Sequence, residues 1–282
     1  MENVILDEKR VSELLNLKYD NRDDWEIIYN ALTVEEQANY RQLEIAVIDS
    51  KHERKWSLMD KEKKDMSERN FVIDGITSGQ FGESFECRLT EKMNKRLLDI
   101  TNRKEQEKFT FFWETSSVFS QWHESKFIGK TFLWETHKYK KDFLLGLFSE
   151  DTQEYINTEQ YMMYHKSMLF LDRENAQKIM MTNNSRKIKE LGRQVTNFNQ
   201  DVWEYYRALI VYDANKAKFL QNEHARTILL NTKGTTLVEA SPFDDIWGVG
   251  ISKNDSRIFD RSKWLGQNLL GEILTQIRIE FE

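Results

Sequence analysis

The chain has 282 residues, 39% hydrophobic and 31% charged, with a formal charge of −6, which is enough for one large or two modest domains with a buried core. The acidic balance argues against a broad electrostatic grip on nucleic acid and leaves room only for a local basic pocket. A single cysteine, Cys87, excludes an intramolecular disulfide and a cysteine-based zinc cage, so a reducing, cytoplasmic setting is expected; Met1 to Asp20 lacks the pattern of a secretion signal and no apolar run reaches membrane-spanning length.

Charge divides the chain. Residues 1–108 carry 24 acidic and 19 basic groups, and residues 109–282 carry 23 and 22. The first segment is thus much the more densely charged, and a boundary near Lys108 is expected, with the packed core beyond it. In the first segment Thr33-Val34-Glu35-Glu36 forms a capping box, which predicts a long helix. Ala38, Leu43, Ile45, Ala46 and Val47 give that helix a loose apolar stripe before the charged stretch Lys51 to Arg69, read as a solvated face or linker. Residues 71–89, with Gly75, Gly79 and Gly82, read as loop or short strands, and Thr90 to Ile100 as a helix. Nothing in residues 1–108 carries recognisable chemistry, so this is a charged, mostly helical extension open to an unknown partner.

The second segment begins with the β-prone run Phe109 to Trp113, followed after a Ser/Thr break by Val118 to Trp122, and a small sheet is expected there. Asn157 or Thr158 can cap a helix from Glu159 to about Phe170. Further helices are expected at Glu174 to Met181, Ser185 to Leu191, Asp201 to Val211, Ala214 to Leu220 and Glu223 to Leu230. Thr236 to Glu239 is a strand, and Leu269 to Glu282 has apolar residues at helical spacing. The fold class is therefore α+β, mainly helical, with a small sheet.

Five of the eleven glycines lie between Gly234 and Gly271, and the only proline, Pro242, falls among them. The run Leu237-Val238-Glu239-Ala240-Ser241-Pro242-Phe243-Asp244-Asp245-Ile246-Trp247-Gly248-Val249-Gly250 leaves a strand, turns at Pro242 and sets carboxylates beside a Trp and two glycines. Such a loop can present a carboxylate to a flat ligand; equally, Asp244 can cap the turn that follows. Ser185 to Arg193 supplies four cations, which form either a phosphate anchor or a solvated face. The five histidines have no metal-ligand spacing, no glycine-rich phosphate loop is present, and His165 reads as packed or surface rather than catalytic.

These residues resemble the NADAR (YbiA-like) domain family, named for a proposed link to NAD and ADP-ribose. The Leu237 to Gly250 run looks like its signature loop. Phe119-Ser120-Gln121-Trp122 resembles its opening element, and Thr158-Glu159-Gln160-Tyr161 through Lys166 its glutamate helix. Leu191-Gly192-Arg193-Gln194-Val195, Trp203, Asn215 to Phe219 and Asn268-Leu269-Leu270-Gly271-Glu272 follow in the family's order. The resemblance covers about residues 109–282. It departs from the family in an extra stretch between Phe127 and Glu159, which contains Trp134 to Lys141 and is where specificity is expected to differ.

What the resemblance implies is an N-glycosidase that hydrolyses the bond between ribose C1′ and a base nitrogen, without a cofactor or metal. Its substrate is an ADP-ribosyl or phosphoribosyl N-glycoside. The favoured reading is removal of ADP-ribose from a modified base such as guanine in DNA, taken at a local pocket. The alternatives are hydrolysis of ribosylaminopyrimidine phosphates of riboflavin synthesis, or a non-catalytic module that binds NAD or ADP-ribose. The chemistry suits two carboxylates, and the implied catalytic residues are Glu159 and Asp244. Trp203, Trp247, Phe119, Trp122 and Asn268 are the implied base and ribose contacts, and Arg193, Lys166 and Lys218 the phosphate contacts.

Overall fold

The computed structural model describes residues 7–20, 22–57, 61–79, 81–132 and 148–282. The chain separates into two compact units, Met1–Lys64 and Asp65–Glu282. In the first, α1 (Glu8–Asp20), α2 (Arg22–Asn30) and α3 (Val34–Ser57) bury Val11, Leu14, Tyr40 and Val47. Trp25 stacks on Tyr29 with ring centroids 4.7 Å apart. The capping box forms as the sequence predicts: Glu36 N–H donates to Thr33 Oγ1 at 3.2 Å and Thr33 N–H to Glu36 Oε2 at 2.8 Å.

Most of α4 (Lys61–Thr77) belongs to the second unit, as does α5 (Phe85–Asn102). The second unit continues with β1 (Phe109–Phe112), β2 (Phe127–Phe132), β3 (Phe148–Tyr155), α6 (Thr158–Leu169), α7 (Arg173–Met180), α8 (Ser185–Arg193), α9 (Gln200–Gln221), α10 (Glu223–Leu230), β4 (Thr236–Glu239) and α11 (Leu269–Phe281). β1 and β4 pair in parallel, Phe112 opposite Glu239, while β2 and β3 pair antiparallel. One core of aromatic and aliphatic residues joins α6, α8, α9 and α11. The architecture is α+β and mainly helical, as expected.

Several expectations are corrected. Val118 to Trp122 forms turns instead of a strand, because its hydrogen-bonding groups are spent locally: Ser120 N–H donates to Ser117 O and Trp122 N–H to Ser120 Oγ. The two helices expected at Asp201 to Val211 and Ala214 to Leu220 are one continuous α9, since Tyr212 and Asp213 between them do not break a helix. Residues 71–89 are helical at both ends, with the glycine-rich turn confined to the middle. The extra stretch between Phe127 and Glu159 supplies β2 and β3, which the sequence reading did not foresee, and its Trp134 to Lys141 run lies outside the described residues.

The division between units falls at Lys64 rather than near Lys108, and the reason is specific. Val72 and Leu89 belong to the core of the second unit. Glu86 on α5 makes a bidentate pair with the buried Arg207 of α9, with bonds of 2.9 and 2.8 Å. Arg96 reaches Glu272 of α11 at 2.7 Å, and Glu107 holds Arg261 at 2.6 Å. The charge density that marks the segment as an extension is thus spent partly on ion pairs with the domain it precedes. A fragment of residues 65–282 should unfold in one cooperative urea transition, whereas residues 109–282 should be markedly less stable. Glu86→Ala, which strands the Arg207 charge, should cost about 2–4 kcal/mol by the same measurement.

Candidate active site

The site is built where α6 begins. Asn157 caps the helix by accepting from Gln160 N–H at 2.9 Å. The 119–122 turn docks on its first residues: Glu159 N–H donates to Gln121 O at 3.0 Å, and Thr158 Oγ1 donates to the same oxygen at 3.3 Å. Asn215 of α9 steadies Gln121, its Nδ2 donating to Gln121 Oε1 at 3.1 Å. Glu159 is 3% exposed, and its Oε1 has no partner. Burial raises its carboxyl to a pKa of about 7, opposed by Lys189, the Trp122 indole N–H that bonds it, and Arg193; Asp244 adds to the rise. The helix N-terminus adds its own favourable field for the ionised form.

From the opposite side comes the end of β4 and the loop after it. Glu239 is the last residue of β4, and its Oε2 is buried without a partner. Burial raises it to about 8, and the nearby Asp244 and Glu159 push in the same direction while Lys189 opposes them. Asp244 serves its own loop as well, its Oδ1 accepting from Ile246 N–H at 3.1 Å and Trp247 N–H at 2.7 Å. Asp244 therefore caps its turn, one of the two readings the sequence allows, and it also stands near enough to the other two carboxyls to act on them. The loop folds back so tightly that a Cβ on Gly248 would lie 2.9 Å from Glu239 O, and Gly250 takes φ +66°, a region that glycine enters freely.

The structure brings together Glu159, Asp244, Trp122, Arg193 and Lys166, all anticipated from the sequence, with Glu239 and Lys189, which were not singled out. Lys166 acts on both Glu159 and Arg193. Its Nζ donates to Gly192 O at 2.9 Å and sits over the Phe198 and Trp203 rings at 4.7 and 5.3 Å. Lys189 stands 5.7 Å from the Trp122 ring. Arg193 is exposed at the end of α8 and Trp247 half-buried in the loop. Glu239 was legible as a carboxylate that closes a strand immediately before the proline turn.

Four candidates occupy supporting positions. Phe119 is buried against Phe112 and Phe219. Trp203 is 9% exposed and lies in the core. Lys218 is fully buried, its Nζ facing Ser120 O at 3.4 Å, and burial draws its pKa down to about 7. Asn268, at φ +56°, ties α11 to β4 by accepting from Glu239 N–H at 3.0 Å and donating to Leu237 O at 2.9 Å. His165 is buried and stacked on Tyr161 at 3.9 Å. No described helix is long and apolar enough to cross a membrane.

The helical α+β fold brings acids together at one helix start and one strand end, and comparison with known proteins gives its class. Residues 111–282 match the NADAR domain, so the chain belongs to the NADAR family. It is 39% identical over 182 residues to "N-glycosidase R617" of Acanthamoeba polyphaga mimivirus, covering 62% of this chain and 98% of that protein. It is 40% identical over 177 residues to "Protein irg-1" of Caenorhabditis elegans, covering 61% of this chain and 79% of that one. A shorter match, 37% over 89 residues, reaches the chloroplastic riboflavin biosynthesis protein PYRR of Arabidopsis thaliana and covers 32% of this chain and 13% of that protein. The chain is an enzyme of the N-glycosidase class.

Because Asp244 makes ionisation of both neighbours harder, Asp244→Asn should shift the titration of Glu159 and Glu239 to lower pH. Side-chain carboxyl NMR on glutamate-labelled protein measures this, and unmoved titrations would separate Asp244 from the cluster.

Proposed function

We propose that this pocket removes ADP-ribose from a modified nucleobase by hydrolysing the bond between ribose C1′ and the base nitrogen. The observation that carries the reading is the unpartnered, buried carboxylate oxygen of Glu159 at a helix start, with Lys166, Lys189 and Arg193 acting on it or around it. Glu159 activates the water that attacks C1′, and Asp244 offsets the positive charge of the oxocarbenium-like transition state. Trp122 and Trp247, both half-buried beside these acids, offer faces on which a base stacks. Three cations close to one another suit a diphosphate, and Arg193, being exposed, is the one free to bind it in a bidentate manner.

A second reading, hydrolysis of a ribosylaminopyrimidine phosphate, is favoured by the likeness to PYRR. The deciding experiment incubates the protein with an oligonucleotide bearing ADP-ribosylated guanine, with NAD and with a ribosylaminopyrimidine phosphate, and identifies which releases free base. Release from the modified oligonucleotide is expected, and release from the pyrimidine phosphate alone would replace the first reading with the second. Glu159→Gln should lower turnover by roughly 10² to 10⁴ with binding retained, since a group acting in proton transfer contributes mainly in the transition state. Arg193→Ala should instead weaken binding by about 1.5–3 kcal/mol, the usual value of a charged hydrogen bond. A protein that binds ADP-ribose, releases no base and is indifferent to Glu159→Gln would be a binding module.

A further inference from the structure

Water attack at C1′ needs a second proton event. When the C1′–N bond breaks, its electron pair stays on nitrogen, and a base that departs as an anion leaves slowly unless a proton reaches that nitrogen. One carboxyl in the pocket must therefore hold a proton while another stands ionised. The surroundings distinguish the candidates. Burial and Asp244 raise Glu159, but an indole N–H from Trp122, the charges of Lys189 and Arg193, and a helix start all work against that rise and favour its ionised form. Asp244 is committed to its own loop, accepting two backbone N–H bonds through Oδ1.

Glu239 has none of these donors. Its Oε2 is buried with no hydrogen-bond partner, and it stands at the end of a strand whose own backbone N–H is taken by Asn268. The charged groups acting on it are Asp244 from the following loop, Glu159 from α6 and Lys189 from α8, so two negative charges oppose one positive. We infer that Glu239 is the proton-holding acid of the pocket, which donates to the departing base nitrogen as Glu159 takes a proton from water. This rests on the glycosidase reading.

The step balances without any co-reactant. The water oxygen bonds to C1′, the C1′–N bond breaks, Glu239 loses its proton to nitrogen and Glu159 gains one from water. Glu159 then returns a proton to Glu239, and the pair is restored. Burial raises both acids toward the neutral range, which supports the shuttle, because a proton gained by Glu159 can there be passed back to Glu239.

The test uses the full chain with Glu239→Gln, Glu239→Asp and wild type. An infrared difference spectrum at pH 7 should show a protonated carboxyl band in wild type that disappears in Glu239→Gln. On whichever N-glycoside the wild type cleaves, Glu239→Gln should lose roughly 10² to 10⁴ in kcat with ligand affinity kept, and its rate should no longer fall at alkaline pH. Glu239→Asp should recover part of that loss. Because glutamine does not ionise, Glu239→Gln should also melt at a higher temperature than wild type at pH 9, where the native acid is forced to carry charge in a buried place. That shift also confirms that the variant folds. A wild type that releases base yet shows no such band, or an alkaline fall that survives in Glu239→Gln, overturns the assignment. A wild type with the band that releases no base from any N-glycoside refutes the substrate reading instead, and leaves the proton on Glu239.

Discussion

The pocket depends on the docking of the 119–122 turn against the start of α6. One carbonyl, Gln121 O, accepts from both Glu159 N–H and Thr158 Oγ1. These bonds satisfy backbone that a helix start otherwise leaves open, and they cover the helix end with a turn that carries Trp122. Glu159 is consequently withdrawn from water while its carboxyl keeps one designated donor. The same turn rests on Lys218, whose buried Nζ faces Ser120 O, and on Asn215. Both belong to α9, so the unbroken length of that helix matters: a break after Val211 would detach these supports from the core that fixes Val202, Tyr206 and Ile210.

The opposite wall is held by a second arrangement of the same kind. β4 is short, and a two-stranded parallel pair has little stability of its own. α11 compensates by packing so closely that a Cβ on Gly271 would fall 2.2 Å from Leu237 O, while the Asn268 amide binds β4 backbone on both sides of Val238. The reach of α5 is part of this wall, since Arg96 and Arg261 share Glu272 at the first turn of α11. Residues that look like an appendage by composition therefore brace the strand that ends in Glu239.

Much of this was legible in the sequence because it rests on local signals. The cap at Asn157, the apolar spacing of α11 and the strand at Thr236–Glu239 are written within a few residues of where they act. The acids Glu159 and Asp244 were found through the resemblance to the NADAR family, not through their spacing. What escaped was set by distant parts of the chain. The place of α5 depends on Glu86 meeting Arg207, 121 residues away, which charge counting cannot see. β2 and β3 were hidden because burial there does not follow side-chain polarity: in Phe127–Phe132 the apolar Ile128 is exposed while Gly129 is buried, and in Phe148–Tyr155 Ser149 is among the buried residues. Trp203 and Asn268 carry family motifs and yet serve the scaffold, so a motif marks a position under constraint without saying whether the constraint is chemical or structural.

Withdrawing the Glu159 and Glu239 carboxyls from water is costly, and the fold bears that cost unevenly. Glu159 and Glu239 are raised in the native state, so the stability they contribute is full only below the ordinary carboxylate range near pH 4.5 and is lost as pH rises through about 7 and 8. His165 and Lys218 act in the opposite sense. Burial lowers His165 to about 3 and Lys218 to about 7, so the fold is penalised for charging them as pH falls below their unfolded values. Near neutral pH both costs are in force, because pH there lies above the unfolded range of the acids and below that of Lys218, and the acids and bases share one scaffold around α6 and α9. Neutral pH is also where two coupled acids can divide a single proton between them, because neither is wholly ionised nor wholly protonated there. The burial that costs the fold stability near neutral pH is therefore the same feature that lets one carboxyl accept a proton while its neighbour gives one up.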